Sequence, residues 1–331
     1  MRSSRAVPLA IALLATVVLT AATACGARVE PTAASETVTV PRCGEQVAYR
    51  SPENVVAYEG GSADKLFALG LADKVRGYVM PPANPPVTES PFAADYAKTE
   101  LLSQDLLNRE LVVDAGADMV VAGWRSGFSD ERGITPALLD RLGIASFMHT
   151  ETCYNYPGFP QRVTPLEGLY TDMTRLGAIF RVPERAADVV TSMKQRVDAV
   201  TAQAPKGEPP PVFLYDSGTE RPNSAANQVP PNDIIRLAGG VNILADQDAR
   251  WTDVGWETVV QRQPEIIMVL DYGEQSAQQK IDFLRSLPAL RSVPAVRDNK
   301  FFVLDYNEGI SGPRNVDGLE RFGAYLREQA S

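Results

Sequence analysis

Residues 55–79 read VVAYEGGSADKLFALGLADKVRGYV, and the order of patterns in this stretch decides the fold. Val55-Val56-Ala57-Tyr58 is a short apolar run of the kind that makes a buried strand. Ser62 to Leu69 has helical spacing, with Ser62 placed to cap its start and Gly70 to stop it. Val75 to Val79 is a second strand. A helix between two buried strands predicts α/β layers with largely parallel pairing.

The same rhythm continues on both sides. Upstream, Thr37–Val40 and Gln46–Tyr49 alternate around a Pro-Arg-Cys-Gly turn and predict a hairpin. Downstream, Met119–Ala122 is a strand, Thr135-Pro136 opens a helix to Leu142, and Ile144–Met148 is the next strand. The proline-rich loop from Pro81 to Pro91 is too long for a simple connector. The alternation then breaks. Thr164-Pro165 opens a helix to Phe180, and Pro183 opens another to Ala202. After the joint at Pro205–Pro211 it resumes through Val212–Tyr215, Ile234–Leu237, Ile266–Leu270 and Phe301–Leu304, ending in a helix from Val316 to Arg327. The expected architecture is two Rossmann-like α/β lobes, 37–163 and 181–331, joined by a helix over 164–180, with a cleft between them.

A short internal repeat agrees with two related lobes. Glu110-Leu111-Val112-Val113 precedes Asp118-Met119-Val120-Val121 by eight positions. Glu257-Thr258-Val259-Val260 precedes Glu265-Ile266-Ile267-Met268 by the same eight, and the copies are offset by 147 residues. Each copy reads as a short helix feeding a buried strand, with Glu110 and Glu257 at equivalent helix starts. An acid there also favours the helix dipole without any further role.

The N-terminus predicts export. Arg2 and Arg5 precede an apolar run from Val7 to Leu19, then small residues lead to Cys25-Gly26. Residues 1–24 read as a signal peptide, with Cys25 resembling the acylated cysteine of a lipoprotein; residues 25–36 read as a tether. Acyl chains would then anchor the protein to the outer face of the membrane. The precursor carries a formal charge of −9, which loss of Arg2 and Arg5 makes more negative. An acidic body disfavours nucleic acid and anionic lipid. Cys43 and Cys153 remain as a pair, either bridged or as two reduced thiols, and an exported location favours the bridge. Two cysteines and one histidine make a structural zinc site a poor fit, and no metal site is expected.

Several pieces resemble the substrate-binding lipoproteins of ABC importers for ferric siderophores, haem and cobalamin. They include Val55–Tyr58, Leu66–Val75, Asn108-Arg109-Glu110, Ala117–Val121, Leu142-Gly143-Ile144, Leu237–Ile243, Trp256–Val260, Gln263–Ile267 and Gly312-Pro313-Arg314. Ala117 stands where that family usually has proline. The resemblance implies a monomer whose two lobes hold a ligand in the cleft. It also implies docking of one surface Glu per lobe, here Glu110 and Glu257, on an ABC permease dimer with its ATPase. The ligand it implies first is a ferric siderophore, with cobalamin, haem or a deazaflavin-like anionic cofactor as alternatives. No intrinsic cofactor is expected, and iron would enter only within a chelate.

Ligands of open α/β sheets sit beyond the carboxyl ends of strands. Those ends and nearby loops carry Tyr58, Trp124, Arg125, Tyr154, Tyr215, Arg221, Trp251, Tyr272, Tyr306 and Arg314. Rings with a few arginines suit a flat or chelated anionic ligand. His149 is the sole histidine and is either a structural residue or an iron ligand for haem. No nucleotide loop, nucleophile elbow or His-rich pattern is present, so an enzyme is not expected. The alternative from another class is an exported hydrolase using Ser217, for which only His149 is available as base.

Overall fold

The structure, a computed structural model, describes residues 36–81, 84, 86–158 and 162–329. The expected signal peptide, Cys25 and nearly all of the tether lie outside the described residues.

Two strands, β1 (Val38–Arg42) and β2 (Glu45–Tyr49), form the expected antiparallel hairpin. The first lobe is built on β3 (Val55–Tyr58), β4 (Val75–Val79), β5 (Glu100–Ser103), β6 (Met119–Ala122) and β7 (Ala145–Met148). They pair in parallel in the order β5-β4-β3-β6-β7. Every residue of β3 and β6 is buried, as a sheet covered on both faces requires. Its helices are α1 (Glu59–Ala68), α2 (Ala93–Tyr96), α3 (Arg109–Asp114) and α4 (Pro136–Arg141). The Asn108 side chain caps α3 by accepting from Leu111 N, and Thr135 caps α4 by accepting from Leu138 N.

Helices α5 (Pro165–Ile179) and α6 (Pro183–Ala202) carry the chain onward. Each has proline in its first turn, where the missing N–H has no intrahelical partner to lose. Thr164 caps α5 by accepting from Glu167 N.

The second lobe contains β8 (Pro211–Tyr215), β9 (Asn223–Ala225), β10 (Val241–Asn242), β11 (Trp251–Asp253), β12 (Ile266–Asp271) and β13 (Phe301–Asp305). Four of these form a parallel sheet in the order β10-β8-β12-β13; β9 and β11 pair as an antiparallel ribbon. Its helices are α7 (Pro230–Leu237), α8 (Trp256–Arg262), α9 (Ala277–Ser286), α10 (Pro294–Arg297), α11 (Tyr306–Gly309) and α12 (Asn315–Gln329). Helix α5 touches the Thr150–Asn155 turn and β1 on one side and α7 on the other, and α6 packs on α12.

Two local expectations are corrected. Helix α1 starts at Glu59 rather than behind a Ser62 cap; Ser62 lies inside it, fully buried and bonded to His149. Ile234–Leu237 is the end of helix α7, not a further strand. The cysteine pair is bridged: Cys43 and Cys153 form a disulfide with Cα atoms 5.2 Å apart, tying the hairpin turn to the turn after β7.

Both sheets reverse their winding in the middle. The reversal falls between β3 and β6 in the first sheet and between β8 and β12 in the second. Crevices open beyond the carboxyl ends of such strand pairs. The residues leaving those ends are Glu59 and Gly123, and Asp216 and Tyr272.

Candidate functional site

Glu59 leaves β3 with φ +63, a left-handed conformation that non-glycine residues seldom adopt. Gly60 and Gly61 follow it. A Cβ on Gly60 would fall 2.1 Å from Asn307 Oδ1, and one on Gly61 would fall 2.4 Å from the Ser311 carbonyl oxygen. Only glycine lets the 307–311 segment of the second lobe lie this close to α1. The pair therefore explains why two poor helix formers open a helix.

Direct bonds cross the cleft around this contact. The Tyr306 hydroxyl donates to Glu59 Oε1 at 3.0 Å, and the Tyr306 ring stacks on Tyr272 with centroids 4.2 Å apart. Arg250 Nη2 donates to Glu151 Oε1 at 3.0 Å, and its Nη1 donates to the Glu151 carbonyl at 3.1 Å. The Tyr154 hydroxyl donates to the Asp248 carbonyl at 2.8 Å; Arg162 lies over the Tyr154 ring and pairs with Asp248. A cavity of about 90 Å³ remains between the lobes, its walls including Glu59, Ser126, Glu151, Arg250, Trp251 and Tyr306.

Below the cavity runs a buried polar network. Lys65 Nζ donates to Asp172 Oδ2 at 2.8 Å and to Ser311 Oγ at 3.0 Å. Asp172 Oδ1 accepts from the Thr150 amide at 2.9 Å and from its hydroxyl at 2.6 Å. Both members of the Lys65–Asp172 pair are fully buried. His149 Nε2 shares a hydrogen bond with Ser62 Oγ at 2.9 Å. Burial, with Lys65 and Arg250 nearby, holds its imidazole well below the usual histidine range, so it is neutral. Burial likewise pushes the Glu59 carboxyl up to about 7, against the pull of the Tyr306 hydroxyl and of Arg132.

The expected ligand residues divide into groups. Tyr306, Tyr272 and Trp251 lie on the second lobe's side of the cleft, and Tyr154 bonds across it. Trp124 is buried, edge-on to Tyr156 at 4.8 Å. Arg125 is exposed at φ +72 and lines a separate hollow with Ser129, Asp130 and Glu131. Tyr58 is 2% exposed in the first lobe's core. Tyr215 is 0% exposed, packed near Trp256 and Phe283. Arg221 is exposed and reaches the Asp253 carbonyl. Arg314 pairs with Asp305 and lines a different groove beside Arg185 and Arg196. Ser217 donates to Asp216 while His149 faces Ser62, so no Ser217–His149 pair is formed. Among the described residues, no group of three or more His, Cys, Asp or Glu is placed to hold a metal ion, and no helix is long and apolar enough to cross a membrane.

Glu59, Gly60, Gly61, Glu151 and Arg250 were not among the expected site residues. The available signal was an acid and two glycines directly after a buried strand, where a helix should not begin with glycine.

The family model described as periplasmic binding protein matches residues 55–308. The chain belongs to the periplasmic binding protein family. Its relatives include the vitamin B12-binding protein of Photorhabdus laumondii, 25% identical over 285 residues, which are 86% of this chain and 91% of that protein. Among solved structures, a periplasmic binding protein from Veillonella parvula superposes with a TM-score of 0.75 at 24% identity, covering 88% of this chain and 98% of the other. An ABC-type Fe3+-hydroxamate transport system protein from Saccharomonospora viridis gives 0.74 at 24% identity, with 87% and 98% coverage. A periplasmic haem-binding protein from Roseiflexus in its apo form gives 0.67 at 20% identity, with 85% and 100% coverage. The shared fold is the pair of α/β lobes, and family membership supports an extracytoplasmic location.

In this periplasmic binding protein the two acids singled out by the repeat occupy matching places. Glu110 is in the first turn of α3, which leads to β6, and Glu257 is in the first turn of α8, which leads to β12. Both are exposed, and Glu110 pairs with its neighbour Arg109 at 2.9 Å.

Proposed function

We propose that this chain is the solute-binding subunit of an ABC importer, held to the outer face of the cell membrane by acyl chains on Cys25. It works as a monomer, takes a metal chelate, first of all a ferric siderophore, and delivers it to a permease dimer with its ATPase. Corrinoid, haem and deazaflavin-like ligands are the alternatives within the same reading. The observation that carries it is the cleft: two α/β lobes meet over Gly60-Gly61 and enclose a cavity lined by rings and charged groups. A cleft between two lobes with such a lining suits the capture of a solute.

Exposed Glu110 and Glu257 would dock on permease arginines, one per lobe. Glu110→Arg with Glu257→Arg is expected to leave ligand affinity within about twofold and to abolish uptake, because charge reversal sets like charges face to face. Normal transport by the double variant would remove docking by these residues from the reading. Ligand identity is tested by purifying the protein from its native host and recording absorbance and mass spectra. A coloured metal chelate is the expected outcome, and a colourless, metal-free metabolite would overturn the chelate assignment.

A further inference from the structure

Glu151 is 5% exposed, and only half of its carboxylate is matched. Oε1 accepts from Arg250, whereas Oε2 is buried on the cleft and has no hydrogen-bond partner. A buried carboxylate oxygen left unpaired is costly, and folded proteins rarely keep one without a use. Glu59 lines the same cavity of about 90 Å³. Its backbone is strained at φ +63, and strain of this kind concentrates at functional sites. Only one of its oxygens, Oε1, is engaged, by Tyr306.

The charges around the cavity favour one sign of guest. Glu59 and Glu151 are the acids. Arg250 is the cation on the wall and is already held by Glu151. His149 is neutral, and Lys65 beneath it is paired with Asp172. Arg132, which also acts on Glu59, donates to the carbonyls of Arg125, Ser126 and Gly127. Tyr58 and Tyr272 face Glu59 as neutral phenols, their ionisation pushed up mainly by burial. An anionic guest would have to displace Glu151 from Arg250 and face Glu59 as well. A cationic N–H donor finds two carboxylates, Glu59 and Glu151, each with one oxygen that makes no hydrogen bond. At about 90 Å³ the space suits the end of a side chain and not a chelate core.

We infer that this cavity is a subsite for a cationic, N–H-donating end of the ligand, a primary ammonium first of all, seated between Glu59 and Glu151. The inference rests on the solute-binding reading above and names the chemistry of one end of the solute.

Two probes that differ only at that end provide the test: the ferric trihydroxamate ferrioxamine B, which has a pendant ammonium, and its N-acetylated form. By tryptophan fluorescence and calorimetry at about pH 8, the ammonium probe is expected to bind at least about tenfold tighter, the lower end for a charge-assisted contact. The preference should shrink at about pH 5.5, where the buried Glu59 carboxyl takes up its proton. Glu59→Gln and Glu151→Gln should each cut the ratio of the two affinities to below about threefold. A purely structural role would weaken both probes alike and leave that ratio unchanged. Equal affinities in the wild-type protein, or a ratio that survives both substitutions, would overturn the subsite and leave the chelate reading intact. If neither probe binds, the solute is not a trihydroxamate of this type. The molecule that co-purifies from the native host then decides the subsite: a ligand with a basic nitrogen supports it, and one without overturns it.

Discussion

The two walls of the cleft are made of different chemistry. The first lobe presents ions, Glu59 and Glu151, each held by one partner from across the cleft, with the Lys65–Asp172 pair one layer down. The second presents rings and main chain: Tyr272 stacked on Tyr306, Trp251, and the 307–311 segment that lies on Gly60-Gly61. Arg250 is the charged exception, and it crosses to Glu151. Buried ions hold their positions through specific partners, whereas rings mainly require covered area. The first wall is therefore sensitive to single atoms and the second to shape.

The strongest way to break this contrast is to remove one member of the buried ion pair. Asp172→Ala leaves the Lys65 ammonium in a fully buried site with only Ser311 Oγ as acceptor. Loss of one partner of a buried pair typically costs about 3–5 kcal/mol, and urea unfolding should show a loss of that size. Replacing both by Lys65→Met and Asp172→Leu should recover part of it, because the Thr150 amide and hydroxyl still lose their acceptor. A loss under about 1 kcal/mol for Asp172→Ala would show that the ammonium is solvated and that the first wall is not built on this pair.

The next test acts on the seam. Gly61→Ala places a methyl 2.4 Å from the Ser311 carbonyl, which main chain cannot yield easily. The expected loss is about 1–3 kcal/mol, together with a larger radius of gyration in small-angle scattering as the lobes part. An unchanged radius and melting temperature would mean that the walls do not meet as described.

The contrast also has a pH signature. Burial raises Glu59 to about 7, and Asp64, whose Oδ1 accepts from Tyr96 at 2.7 Å, also to about 7. In the unfolded chain the same groups release protons at ordinary values of 4.5 and 3.8. Between those limits the folded state binds more protons, so stability falls as pH rises from about 4 to 7. Melting temperature should rise by a few degrees on acidification through this window. Glu59→Gln with Asp64→Asn should flatten most of the slope. Asp216 and Glu308 in the second lobe are raised by burial too, and any slope left in the double variant reports on them. A slope of the opposite sign would show that neither first-lobe carboxyl is protonated in the folded chain.

Much of the scaffold was legible because periodic apolar patterns are local. Val75–Val79, Met119–Ala122 and Pro183–Ala202 appear at the bounds read from pattern and proline alone. Strand β5, Glu100-Leu101-Leu102-Ser103, was not legible, being a short edge strand with no fully buried residue. Ile234–Leu237 misled because a short apolar run has no period of its own; Pro230-Pro231 ahead of it marked a helix start. The start of α1 was misplaced by three residues because a Gly-Gly helix opening contradicts propensity. Propensity yields there to the second lobe, 250 residues away in sequence. The cleft rings at Tyr272 and Tyr306 were found from strand ends. Glu59, Glu151 and Arg250 were not, because which ions become buried depends on how the lobes meet.

The smallest expected effect lies at the rim, where the walls touch through one hydroxyl. Tyr154 donates to the Asp248 carbonyl from a half-buried position, and Arg162 braces the ring while pairing with Asp248. Tyr154→Phe keeps the ring and its contact with Arg162 and removes only the hydrogen bond. A single such bond contributes about 0.5–1.5 kcal/mol net, so the ratio of closed to open forms should fall by about 2- to 13-fold. Global stability should barely change, because the bond joins two lobes and supports neither core. Distance distributions between spin labels on α4 and α9, on opposite lobes, would read the shift without added ligand. A melting temperature that drops as far as in Gly61→Ala would place this hydroxyl in the folded core's support. The rim would then belong to the atom-sensitive first wall and not to a seam between the two.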